Sequence, residues 1–201
     1  MNKGLLIVVS APSGCGKGTI LEEVLKDKNY YYSVSLTTRK PREGEIDGVN
    51  YCFVSNDDFE KLISENRMLE YAEYCNNYYG TRNDIIEEMR ENGRDVILEI
   101  EVQGALNVMK KCPDAISIFV LPPSVKELER RLRKRGTESD DVINQRLAKA
   151  IEEMNSADKY NYIVVNNALE DAIADFKAVI KAEKLKADYA KEILDEVIKN
   201  A

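Results

Sequence analysis

Five consecutive aliphatic residues, Leu5-Leu6-Ile7-Val8-Val9, run straight into the loop Ala11-Pro12-Ser13-Gly14-Cys15-Gly16-Lys17-Gly18-Thr19. No other feature constrains the fold so tightly. A short unbroken run rich in β-branched residues marks a strand buried on both faces, the habit of parallel sheets. Similar runs recur at Val96-Ile97-Leu98, Ile116–Leu121 and Tyr162–Val165, with helical patterns between the later ones. Strands alternating with helices predict an α/β fold around a parallel sheet.

The helical stretches carry their own punctuation. Ser55 with Asp58 three residues on predicts a capped helix holding Phe59, Leu62 and Ile63. Ile85, Ile86 and Met89 mark another, stopped at Gly93. Leu128 and Leu132 lie one turn apart on an otherwise charged segment. A last helix starts near Leu169 with Ile173, Phe176 and Ile180 on one face, and its phase slips between Ala182 and Asp188, which predicts a break. From Tyr30 to Tyr79 the βα pattern lapses into short strands and turns rich in tyrosine: Tyr30, Tyr31, Tyr32, Tyr51, Tyr71, Tyr74, Tyr78 and Tyr79. In a chain of 201 residues this reads as a small mixed subdomain inserted after the first helix.

Composition narrows the chemistry. Lys plus Arg is 29 against 36 Asp plus Glu, a net charge of −7, which argues against nucleic acid as a partner. The absence of histidine removes every imidazole base and every imidazole metal ligand. Cys15, Cys52, Cys75 and Cys112 form no C-x-x-C pair, so no zinc site is expected and reduced thiols in the cytoplasm are. No stretch approaches the roughly 20 apolar residues of a membrane span, and no membrane partner is expected.

Four segments carry reactive groups. The glycine loop is close to a P-loop, G-x-x-x-x-G-K-[ST]. Backbone N–H groups at Gly14, Gly16, Lys17 and Gly18 suit a phosphate chain, and the helix starting near Lys17 adds its dipole. Ala11 replaces the first glycine and Gly18 the usual hydroxyl, with Thr19 one place later. The Gly-Lys-Gly-Thr ending resembles adenylate kinases, where the metal is held largely through water. Arg39 and Arg42 flank Pro41 after the hydroxyl-rich Ser33-Val34-Ser35-Leu36-Thr37-Thr38, where two guanidiniums can fork onto one phosphate or simply be solvated. Glu99 and Glu101 close the strand at Val96–Leu98, the edge where open α/β sheets bind ligands. Lys126 to Arg135 holds six basic and two acidic residues in an acidic chain, and with Arg146 it reads as a lid over phosphates or as a solvated helix.

Taken together these segments resemble guanylate kinase over nearly the whole chain: Ser10–Thr19, Ser33–Arg42, Gly48–Ser55, Asn77-Tyr78-Tyr79-Gly80-Thr81, Leu98–Gly104, Pro122-Pro123-Ser124 and Arg135-Gly136-Thr137. The resemblance implies a P-loop kinase fold: a helix-flanked parallel sheet core (1–32, 94–125 and 156–201), a GMP-binding subdomain (33–93) and a helical lid (126–155). It implies transfer of a phosphoryl group from ATP to GMP with Mg²⁺. Lys17, Arg39, Arg131, Arg135 and Arg146 would be catalytic. Residues Ala11 to Thr19, Arg135 and Asn166 would hold ATP, Asn166 near adenine. Ser35, Arg39, Arg42, Tyr51, Glu70, Tyr79, Thr81 and Glu101 would hold GMP. Mg²⁺ would be bound mainly through nucleotide phosphates and water, near Glu99 and Glu101. Many members carry Asp where this chain has Glu101, which leaves the division of roles between Glu99 and Glu101 open, as is tolerance of dGMP. Two other readings remain: a catalytically inactive phosphopeptide-binding module of the same fold, and a kinase of another small phosphorylated acceptor. A regulatory GTPase is disfavoured by the lack of Asn-Lys-x-Asp.

Overall fold

The structure is a computed structural model and describes residues 3–74, 76–134, 136 and 139–199. β1 (Leu6–Ser10) is buried at every position and leads through the glycine loop into α1 (Lys17–Val24). There follow β2 (Tyr30–Tyr32), β3 (Leu36–Thr37), β4 (Cys52–Phe53), α2 (Asn56–Ser64), β5 (Met68–Tyr74), β6 (Asn77–Arg82) and α3 (Asn83–Glu91). The remainder is β7 (Asp95–Glu99), α4 (Val102–Lys111), β8 (Ile116–Leu121), α5 (Val125–Lys134), α6 (Asp140–Met154), β9 (Tyr162–Val165), α7 (Leu169–Lys184) and α8 (Lys191–Lys199).

Two compact units divide the chain. One holds Lys3–Val9 and Asn29–Ile116; the other holds Ser10–Lys28 and the chain from Ser117 onward. In the first unit β7 pairs in parallel with β1 on one side (Leu6 opposite Val96) and with β2 on the other (Tyr30 opposite Asp95). The tyrosines Tyr30 to Tyr32 therefore belong to the parallel sheet, not to the mixed insertion where composition put them. A shared taste for β-branched and aromatic residues makes the two kinds of strand look alike.

A second sheet in this unit has the order β4-β3-β6-β5, with β3 parallel to β4 and antiparallel to β6. Its core is Leu36, Phe59 and Met68, with Leu62, Ile63 and Tyr78 packed around them. Phe59 is fully buried and stacks on Tyr78 at 5.2 Å between ring centroids. Truncating such a ring to alanine costs about 3–5 kcal/mol. α2 begins where the capping pattern predicts: the Ser55 hydroxyl oxygen accepts from the Asp58 N–H at 3.1 Å. Such a cap contributes about 1 kcal/mol.

In the second unit β8 and β9 pair in parallel, from Ile118 opposite Tyr162 to Leu121 opposite Val165. α7 lies against both α1 and β9, and α5 lies against α6. Leu128 and Leu132 are buried, as their spacing requires. α7 turns Ala172, Phe176 and Ile180 inward, while Ile173 is only half-buried. The helix ends at Lys184 and resumes as α8 at Lys191, which is the break that the slipped phase predicts. Among the described residues no helix is long and apolar enough to cross a membrane.

Candidate active site

The glycine loop is fixed from below. Pro12 and Cys15 are buried while Ser13 is exposed, and the Cys15 N–H donates to the Pro12 carbonyl at 3.3 Å. Gly16 sits at φ +83, in the left-handed region. A Cβ there would also lie 2.4 Å from Asn166 Nδ2, so two independent constraints demand glycine. Asn166, itself buried, donates through that nitrogen to the Cys15 carbonyl at 2.7 Å. Its own carbonyl accepts from Arg131 at 2.9 Å. α1 starts at Lys17 with no acidic residue in its first turn, leaving its positive end uncompensated by side chains of its own. At Gly18 a Cβ would meet nothing within 4 Å.

The basic residues of α5 and α6 reach this loop. Arg131 also donates to Glu127 at 2.8 Å, and hydrogen bonds from Arg130 and Arg131 pull the Glu127 carboxyl down to about 2. Arg146 donates to the Ser13 hydroxyl. Burial pushes the Cys15 thiol up to about 12, against the opposing pull of Arg131 and Lys17. With no exposed surface and its ionisation opposed by burial, Cys15 serves as a packing residue of the loop. Arg135 lies outside the described residues.

Most of the other group of predicted residues surrounds a cavity of about 350 Å³ in the first unit, while Arg39, Arg42 and Thr81 are not among its lining residues. Ser35, Tyr51, Glu70, Tyr79, Glu99 and Glu101 all line it. Glu70 sits directly opposite Thr81 across β5 and β6, beside a register shift between Met68 and Glu70. Such a bulge re-aims a side chain, and here it turns a glutamate inward. Thr81 donates to Glu70 Oε1 at 2.7 Å. Burial raises the Glu70 carboxyl above its ordinary range, offset in part by the Thr81 hydrogen bond and the charge of Lys111. Glu99 ends β7 and accepts from the Tyr32 hydroxyl at 2.9 Å. Glu101 is not on that strand: it stands at the N-cap of α4, with extended backbone. Both carboxylates nevertheless line the cavity.

Tyr51 and Tyr79 meet edge to face at 5.9 Å, and the Arg39 guanidinium lies 5.5 Å over the Tyr51 ring. Arg39 is held by a residue that sequence reasoning missed. Both terminal nitrogens donate to the Glu45 carboxylate at 2.9 Å, and the Arg42 N–H donates to the same group at 2.7 Å. These bonds draw Glu45 down to about 2. The Arg42 side chain is exposed. Glu73, Gln103 and Gly104 also line the cavity without having been foreseen. Glu73 shares β5 with Glu70, whereas Gln103 and Gly104 meet Glu70 only once α4 lies against β5.

The wall thus offers carboxylates and hydroxyls to a ligand rich in N–H donors, and a fixed guanidinium beside two tyrosines. The loop offers backbone donors and lysine to an anion. The chain matches the guanylate kinase family over residues 3–183. It is 50% identical over 192 residues to the guanylate kinase of Clostridium tetani, covering 96% of this chain and 92% of that one. It is 47% identical over 201 residues to the guanylate kinase of Latilactobacillus sakei, covering 97% and 99%. Its fold is similar to the crystal structure of guanylate kinase from Anaplasma phagocytophilum, with a TM-score of 0.73, 33% identity and coverage of 92% and 88%.

Proposed function

This chain belongs to the guanylate kinase family, and from that premise we propose how its residues divide the transfer of a phosphoryl group from ATP to GMP. The protein is an enzyme, a nucleoside monophosphate kinase yielding ADP and GDP.

The observation that supports the division is the buried Glu70 in the cavity wall, held by the Thr81 hydroxyl behind it. Guanine presents N1–H and N2–H₂ as adjacent donors and O6 as an acceptor. The Glu70 carboxylate accepts from both donors, with Ser35 and Thr81 as hydroxyl partners. Adenine lacks the donor pair and would leave a buried carboxylate unmatched, a loss that gives ~10⁴-fold discrimination in well-built sites. Arg39, Arg42, Tyr51 and Tyr79 take the GMP phosphate, and Glu101 stands beside the nucleoside.

The phosphate loop and Lys17 take the ATP phosphates, with Asn166 bracing the loop from beneath. Arg131 and Arg146, together with Arg135, neutralise charge on the transferred group. The acceptor is already an anion, so in-line positioning and charge stabilisation replace a general base, and a chain without histidine suffices. With Gly18 in place of a hydroxyl, the loop offers a metal no side-chain oxygen at that position, which suits one that keeps its water. Mg²⁺ behaves in that way and supplies further charge neutralisation. It would be held through the ATP phosphates and water, with Glu99 and Glu101 as the carboxylates for its water shell. We assign 33–93 to GMP binding, 126–155 to the lid and the rest to the core. The cytoplasm is the proposed location.

A coupled ADP-release assay with ATP and Mg²⁺ tests the reading, offering GMP, AMP, UMP, CMP and dTMP in turn. Turnover with GMP far above the others is the expected result. Equal turnover with AMP would remove Glu70 from its role.

A further inference from the structure

We infer that Gly104 is a specificity-determining residue, whose missing side chain gives the Glu70 carboxylate the room it needs to meet the base. The inference rests on the assignment of Glu70 as the guanine reader. Gly104 is the third residue of α4, inside the helix, where alanine would be the more stable choice. The glycine faces the cavity. A Cβ at this position would lie 3.2 Å from Glu70 Oε2 and 3.6 Å from its Cδ. That contact is too tight to stand unrelieved, so one partner must give by a few tenths of an ångström.

The helix is poorly placed to give. At its far end Lys111 donates to the Leu69 carbonyl at 2.6 Å, tying α4 to β5 next to Glu70. Ile100 Cδ1, 3.8 Å from the same point, closes another side. The displacement falls on Glu70, whose other oxygen is held by Thr81 at 2.7 Å and whose side chain is buried. Oε2 is thus the oxygen that moves. A hydrogen bond to a base N–H tolerates only a window of about 2.7–3.2 Å, so a small shift weakens the paired contact. ATP is bound by other residues and is unaffected.

The test is Gly104→Ala beside Glu70→Gln, Glu70→Asp and the double variant Gly104→Ala/Glu70→Asp. Expected for Gly104→Ala is a GMP KM about tenfold higher, with kcat and the ATP KM within about twofold and the melting temperature equal or raised. Glu70→Asp shortens the side chain by one methylene and restores room, so the double variant should lose less than the two single losses combined. An unchanged GMP KM in Gly104→Ala, with Glu70→Gln impaired, overturns this inference and leaves the guanine reader standing. A fall in melting temperature with both KM values raised also overturns it, in favour of a structural glycine. An unchanged GMP KM in Glu70→Gln removes the guanine reader itself, and the inference with it.

Discussion

The phosphate loop and the nucleotide cavity are built by opposite means. The loop is nine consecutive residues, and its working groups are backbone N–H donors fixed by two positive-φ glycines, Gly14 and Gly16, and a helix end. The cavity is assembled from side chains on β5, β6, the end of β7 and the start of α4, brought together across tens of residues. Backbone donors recognise charge and are indifferent to what carries it. Carboxylates and hydroxyls at set positions recognise a particular edge of a particular base. Generality is therefore written locally in this chain, and specificity at long range.

Substitutions should separate the two regions. The largest effect belongs to Lys17→Ala, which removes a cation from the transferred phosphates. Turnover should drop about 10²–10³-fold. Calorimetric titration should find GMP binding unaltered, and a parallel loss of GMP affinity would erase the distinction between the regions. Glu70→Ala comes next, with the GMP KM raised about 10²-fold and the ATP KM within twofold. Steady-state kinetics in both substrates decides the matter, and equal losses would mean that Glu70 supports the fold and does not read the base.

Acidity offers a subtler probe of the same carboxylate. Burial raises the Glu70 carboxyl, so it gains its proton at a higher pH than an exposed glutamate. A protonated carboxyl presents an O–H to a donor edge, so GMP affinity should fall as pH drops through that value, by up to about tenfold per unit. Glu70→Gln should lack this step, whereas titration of the GMP phosphate would persist in both proteins. The smallest effect is expected from Asn166→Ala, which leaves the Cys15 carbonyl without its 2.7 Å partner. The ATP KM should rise about tenfold or less, with the GMP KM unchanged. A rise confined to GMP would contradict the assignment of this brace to the loop.

What could be read in the sequence follows from the same contrast. Leu5–Val9, Ile116–Leu121 and Tyr162–Val165 declare themselves because a strand buried on both faces needs an unbroken apolar run, and the loop declares itself because its geometry is local. Ser55 marks its helix for a similar reason. Composition alone misplaces Tyr30 to Tyr32, which the resemblance assigns to the core, since pairing with β7 depends on a partner 65 residues away (Tyr30 opposite Asp95) that no window can see. Of the cavity residues, Glu99 and Glu101 stand out by their place at a strand end, whereas Glu70 was named only through family resemblance. Neither Glu45 nor Gly104 was singled out, as one matters for the guanidinium it holds and the other for a side chain it lacks.

The brace under the loop also bears on the order of synthesis. The loop spans nine residues, yet the amide that holds the Cys15 carbonyl belongs to a residue 151 positions later. A nascent chain that stops short of Asn166 carries every letter of the phosphate-binding signature without the strut that shapes it. Without that strut the loop would hold ATP more weakly, so its full affinity for nucleotide depends on chain made long after the signature itself.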